Sequence, residues 1–226
     1  MSDVLPQRKR RRLLAAGSAA ALAAGFDSLR LALAQGTQTP GIYRIQGRVR
    51  VNGKPVQRGQ TIVPGDMLQT GAGGQVIFVM GQDAFLLRGS SRLETAGSNG
   101  FADTLRLVTG KLLSVFSAGE RHVVTPTATV GIRGTGLYVE AQPKRTYVCT
   151  CYGSVVVSPA GMPNMKETIT TEHHEQPRYI YADSYMPEDK MMPKAAVVNH
   201  TDAELILLES LVGREPPFVG KGYKAY

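Results

Sequence analysis

Between Gly41 and Pro159 the chain is a succession of strand-length runs separated by glycine turns, and no helical period of comparable quality interrupts them. The runs cover residues 42–52, 59–70, 75–80, 84–88, 105–116, 122–125, 137–141 and 147–158. Recurrence of strand signals about every 8 to 12 residues is the mark of an all-β fold rather than of alternating βαβ units. In Thr104-Leu105-Arg106-Leu107-Val108 and Gly47-Arg48-Val49-Arg50-Val51 the apolar side chains fall on one face and arginines on the other. A strand places successive side chains on opposite faces, so Arg48, Arg50 and Arg106 are expected to meet solvent. Asn52-Gly53, Pro64-Gly65-Asp66 and Gly71-Ala72-Gly73-Gly74 supply turn chemistry between runs. Gly131-Ile132-Arg133-Gly134-Thr135-Gly136 is glycine-rich, but it departs from the dinucleotide spacing and precedes no amphipathic helix, so nucleotide binding is not expected there.

The charge of +8 on 226 residues raises the question of nucleic acid, which depends on where the charge sits. Arg8, Lys9, Arg10, Arg11 and Arg12 stand before a small-apolar run at 13–26, and Ala32-Leu33-Ala34 forms a small-residue cleavage pattern before Gln35. That order predicts an export signal over residues 1–34, cut between Ala34 and Gln35. Arg10-Arg11-Arg12-Leu13-Leu14 resembles the twin-arginine pattern, and a general secretory signal is the alternative. Removing residues 1–34, with six Lys/Arg against Asp3 and Asp27, lowers the net charge from +8 to +4, and most of the nucleic-acid signal leaves with it. No window holds the roughly 18 apolar residues that a membrane span requires, so no span is expected in the mature chain. The expected location is periplasmic or secreted.

Residues 35–40 read as a linker, 41–158 as a β domain and 159–226 as a C-terminal extension. Pro163, Pro177, Pro187 and Pro193 break that extension into short pieces suited to wrapping a core. Arg178-Tyr179-Ile180-Tyr181 reads as an edge strand. Thr201-Asp202-Ala203-Glu204 is a capping-box sequence ahead of Leu205, Leu208, Leu211 and Val212, with Gly213 as a stop, which predicts a helix over about 201–213.

Several pieces of the β region carry a resemblance when taken in order. They are Gly47, Asn52-Gly53, Gly59, Gly65-Asp66, Leu68-Gln69-Thr70-Gly71, the run 105–110, Val123-Val124-Thr125-Pro126-Thr127-Ala128 and Val130-Gly131-Ile132-Arg133-Gly134-Thr135. Together they resemble the FecR domain over about residues 41–158, with Gly65, Asp66, Thr70, Gly71, Thr125, Pro126, Arg133, Gly134 and Thr135 as the motif positions. The resemblance implies an exported β-rich module, solenoid-like or sandwich, used for protein contact and ligand sensing rather than for catalysis. In the namesake members the domain follows a sigma-factor-binding cytoplasmic segment and a membrane helix. Only 34 residues precede the mature chain here, so direct sigma-factor binding is not expected, and the partner is an unspecified envelope protein or ligand.

Cys149-Thr150-Cys151 places two thiols at i and i+2 of a β run, with both sulfurs on one face. Such Cα atoms lie about 6.5 to 7 Å apart, at the upper limit of disulfide geometry. Ligation of zinc, copper or iron by Cys149 and Cys151 with His173, His174 and His200 suits the donor types, His122 being a weaker contributor. A disulfide or thiol redox pair and plain packing of two small thiols are the other readings. Met162, Met165, Met186, Met191 and Met192 read as gap-filling side chains. No nucleophile elbow is present, and Asp183, Glu188, Asp189, Asp202, Glu204 and Glu209 form no acid/base motif, so the chain is not expected to be an enzyme.

Overall fold

Two long strands organise the fold, and each changes sheets at a glycine. The computed structural model describes residues 39–98, 101–182 and 186–226. The expected export segment at 1–34, with Ala34 and Gln35, lies outside the described residues, as does Asp183. The strands are β1 (Gly41–Gln46), β2 (Val49–Val51), β3 (Lys54–Pro55), β4 (Met67–Thr70), β5 (Gln75–Met80), β6 (Asp83–Leu87), β7 (Arg92–Ser98) and β8 (Phe101–Val115). They continue with β9 (Glu120–Val124), β10 (Ala128–Arg133), β11 (Gly136–Ala141), β12 (Thr146–Pro159), β13 (Glu167–Thr171) and β14 (Arg178–Ile180). One 3-10 turn, Glu188–Lys190, and one helix, α1 (Asp202–Ser210), follow. The described residues are therefore all-β with a single short helix near the C-terminus.

The first part of β8 pairs with β7 and β9, and its second part pairs with β6 and β11. Likewise β12 pairs with β11 and β14 before Gly153, and with β13 and β10 from Gly153 onward. The turning points are Gly110 (φ +99°) and Gly153 (φ +90°). A Cβ at Gly110 would lie 2.0 Å from Ser91 Oγ, and one at Gly153 would lie 2.7 Å from the Gly134 carbonyl oxygen. Only glycine combines that backbone with that approach, and strands that bend in this way form the corners of packed sheets. The pairings β8–β9, β9–β10, β10–β12, β12–β11 and β11–β8 close a five-stranded ring, which resolves the solenoid-or-sandwich alternative in favour of a closed barrel with added strands.

The hydrophobic core holds Phe78, Phe85, Phe116, Leu107, Leu112, Val139, Val148 and their neighbours. Strands β5 and β6 are buried almost throughout, which matches their continuous apolar runs. Helix α1 packs on β6 and β8 and buries Leu205, Leu207 and Leu208, with Leu211 just beyond its end. Thr201 caps α1 in a full capping box, and Gly213 (φ +70°) ends it with the Arg214 amide reaching the Glu209 carbonyl. Among the described residues no helix is long and apolar enough to cross a membrane.

The run 42–52 is broken at Gly47-Arg48 into β1 and β2, and β3 lies outside the expected runs. The run 59–70 is a strand only at Met67–Thr70, because Pro64-Gly65-Asp66 turns the chain and Asp66 accepts the Val63 amide at 2.9 Å. Strands β7, β10 and β13 were not expected: Gly97 breaks the alternation of the first, Gly131 gives the second the look of a glycine loop although its Ala128, Val130 and Ile132 alternate inward, and the edge strand β13 is mostly polar. Asn52 (φ +51°) and Gly53 (φ +77°) form the expected tight turn, with Val51 opposite Lys54. Arg48, Arg50 and Arg106 are exposed.

Candidate metal centre

The second half of the barrel wall creates the site. Along β12 the side chain of Val148 enters the core, while Cys149 and Cys151 face the opposite side, where the C-terminal extension covers them. Cys149 pairs with Tyr138 of β11. After β13 runs back along β12, a turn returns the chain to the thiols: the His174 amide donates to the Cys151 carbonyl at 3.0 Å. The Glu175 carboxylate holds this turn by accepting the Glu172 and His173 amides at 2.9 and 3.0 Å. His174 adopts φ +63°, a left-handed conformation that costs a non-glycine residue about 1 to 2 kcal/mol and re-aims its ring. The chain then crosses β14 and returns to His200, immediately before the Thr201 cap. Arg88 fixes that return by donating to the Asn199 carbonyl at 3.0 Å and pairing with Glu204 at 2.8 Å.

The donor atoms of Cys149, Cys151, His174 and His200 all lie within 4.8 Å of one another, and all four residues are buried. Cys149 Sγ is 3.5 Å from His174 Nδ1, and His174 Nδ1 is 3.0 Å from His200 Nε2. A tetrahedral ion with sulfur at about 2.3 Å and nitrogen at about 2.0 Å has sulfur–nitrogen edges of about 3.5 Å and nitrogen–nitrogen edges of about 3.3 Å. The observed edges are close to those of such a cage.

The outer nitrogens decide the protonation. His200 Nδ1 lies 2.8 Å from the Val198 carbonyl, which can only accept, so Nδ1 carries the proton and Nε2 offers a lone pair. His174 Nε2 lies 3.0 Å from Asp202 Oδ1, so in the neutral ring Nδ1 is the bare nitrogen. With both rings neutral, two lone pairs face each other at 3.0 Å, an arrangement that either a proton shared between the rings or a metal ion held by the four donors relieves. Metal-binding imidazoles characteristically donate their second nitrogen to a carbonyl or a carboxylate in this way.

The buried groups also shift one another's ionisation, toward a Cys149 thiolate beside a protonated His174. The hydrogen bond from the Cys151 thiol, followed by interaction with the His174 and His200 rings when their inward nitrogens are protonated, holds the Cys149 thiol well below its ordinary range against the opposing effect of burial. Burial and the neighbouring Cys149 push Cys151 up. Burial alone would lower His174, but Cys149 and Asp202 outweigh it and hold the imidazole above its usual value. Tyr138 stacks on the His200 ring at 4.5 Å, and its phenol donates to Glu140 at 2.7 Å; burial and that carboxylate raise its pKa.

Of the residues singled out from the sequence, the structure brings Cys149, Cys151, His174 and His200 together. It does not bring His173 into that group: its Nε2 sits 3.1 Å from both Asp202 oxygens. His122 lies on β9, within 3.9 Å of Glu120, and is no part of the cluster. Both cysteines are free thiols. Met191 is fully buried, and Met192 packs against the core, in keeping with a gap-filling role. The motif positions serve turns and strand ends. Thr70 Oγ1 donates to the Arg88 carbonyl at 2.5 Å, Thr125 Oγ1 to Ala128 at 3.1 Å and Thr135 Oγ1 to Ser154 at 3.0 Å. Asp66 accepts from Asn52 at 2.6 Å, Gly134 has φ +69°, and Pro126 and Arg133 are exposed. Sequence reasoning missed Asp202 as the orienting carboxylate and Tyr138 as the stacking wall; the capping box placed Asp202 on a helix but said nothing of the histidines below it.

No family model matches the chain, and no curated protein gives a significant match. Two crystal structures of a candidate anti-sigma factor from Parabacteroides distasonis are similar to it, each at 13% identity and a TM-score of 0.44. The matches cover 52% of this chain and 56% and 55% of the others, so this chain spans little more than half the length of the proteins it resembles.

Proposed function

We propose that this chain is an exported, non-enzymatic β module of FecR type that holds one zinc ion between Cys149, Cys151, His174 and His200. The observation that carries the reading is the convergence of two buried thiols and two buried imidazoles whose donor atoms lie within 4.8 Å of one another, with the second nitrogen of each ring bound to Asp202 or Val198. Two thiols and two imidazoles in a tetrahedron form a donor set that zinc favours, and a set complete in protein ligands leaves no position for a substrate. A holding role therefore fits the site better than a catalytic one.

The ion would join three parts of the chain: β12 of the barrel, the turn after β13, and the residues that open α1. Zinc would therefore fasten the extension to the barrel wall, and its binding free energy would become folding free energy. The basic-then-apolar order of residues 8–34 supports export, and the twin-arginine-like sequence suits a protein that acquires its ion before crossing the membrane. The spaced FecR-like motifs support a role in contact with an envelope protein.

Cobalt(II) substitution tests the assignment. The chain reconstituted with one equivalent of cobalt is expected to show intense tetrahedral ligand-field bands and thiolate-to-metal charge transfer, both absent in Cys149→Ser/Cys151→Ser. A weak octahedral spectrum would contradict it.

A further inference from the structure

The cage is closed by elements of unequal permanence. Strand β12 forms its floor, Tyr138 one wall, and the start of α1 another; all are held by buried side chains of the barrel and helix. The remaining cover is the segment 214–226. Its Phe218 ring lies 4.8 Å from His173 and 6.3 Å from His174, and Tyr226 lies 5.3 and 5.1 Å from the same two rings. Tyr223 stacks on His173 at 4.7 Å.

This segment is lightly fastened. Of its large apolar side chains Phe218 is buried, whereas Val219, Tyr223 and Tyr226 are 38%, 40% and 49% exposed. Its base is fixed, because Arg214 bonds Glu209 at 2.6 Å and the Gln82 carbonyl at 2.8 Å. Beyond Pro216-Pro217 it bends through Gly220 and Gly222, both with positive φ. Its far end is held by polar contacts: Tyr223 Oη donates to Glu172 at 2.6 Å, and the Tyr226 amide donates to Asp202 Oδ2 at 3.3 Å. Asp202 thus carries the segment on one oxygen and His174 on the other. A strip with few buried contacts and a fixed base opens at lower cost than the sheet or helix around it.

We infer that residues 214–226 are the gate through which the ion enters and leaves, latched through Asp202, an inference that rests on the zinc reading above. The gate sets the rate of exchange, while the four donors set the stoichiometry. With the segment displaced, His173 and His174 become open to solvent and to a competing chelator. With it in place, the aromatic rings exclude both.

The test is the rate at which the zinc-loaded full chain transfers its ion to excess EDTA. Phe218→Ala/Tyr226→Ala removes two aromatic covers and is expected to accelerate release by about tenfold or more, with one zinc per chain retained at the outset. Tyr223→Phe removes a single surface hydroxyl, preserves the fold, and is expected to accelerate release by about threefold. Val219→Ala, on the same segment but without a ring contact to either histidine, is expected to release at the wild-type rate. Wild-type rates in both the double variant and Tyr223→Phe would overturn the gate and leave the zinc site standing. Equal acceleration in Val219→Ala would also overturn it. A wild-type chain that takes up no zinc would overturn the gate and the site together.

Discussion

His174 Nδ1 and His200 Nε2 face each other at 3.0 Å, although 26 positions separate the residues and each ring has its other nitrogen engaged. Neither can turn away without abandoning a buried hydrogen bond. The pair is satisfied by a shared proton or by a metal ion, and Cys149 and Cys151 arrive at the same point to complete a four-donor set for the second.

Asp202 orients His174, so its replacement is expected to act on the ion more than on the fold. Asp202→Asn should weaken zinc binding by about 10- to 100-fold, as loss of an outer partner of a metal-binding histidine typically does. The accompanying loss of stability at the start of α1 should be about 0.3 to 1 kcal/mol. Chelator competition measures the first effect and urea unfolding the second. Unchanged affinity would mean that the carboxylate does not position the ring.

The corner glycines give a prediction independent of any metal. Gly110→Ala sets a methyl 2.0 Å from Ser91 Oγ at φ +99° and is expected to cost several times more stability than Gly53→Ala. At Gly53, φ +77° is the sole obstacle, and the expected cost is about 1 to 2 kcal/mol. Denaturant midpoints of the two variants should differ in that order; equal midpoints would show that β8 does not need its bend.

Much of this was legible in the chain, and the rest was hidden for identifiable reasons. The thiols could be placed on one face because a strand has period two, and α1 could be placed because Thr201 and Glu204 form a capping box. The barrel was not readable: its closure depends on Gly110 and Gly153, and a bending glycine looks the same in sequence as one that merely ends a strand. The choice between His173 and His174 was hidden for a similar reason, since both rings reach Asp202 and the left-handed turn at His174 decides which of them meets the thiols. His200 reaches the site by a path through β14 that no local pattern encodes.

Removal of the ion should loosen the extension. Treatment with a strong chelator is expected to lower the melting temperature of the wild-type chain and to leave that of Cys149→Ser/Cys151→Ser unchanged, because an ion bound only by the folded state stabilises it by mass action. A chelator-insensitive wild-type chain would show that the contacts of the extension suffice without it.

The helix cap sits directly beside a donor. Thr201→Ala removes the bond to the Glu204 amide and is expected to cost about 1 kcal/mol by thermal or urea unfolding. Thr201→Ser should restore most of that loss; equal stability of all three chains would remove the cap from the account.

Whether one ion is bound is decided by elemental analysis of the anaerobically purified chain, paired with a thiol titration. One zinc per chain is expected, with both thiols protected until the protein is denatured, and no zinc in Cys149→Ser/Cys151→Ser. A metal-free wild-type chain, with two reactive thiols or one disulfide, would contradict the zinc reading.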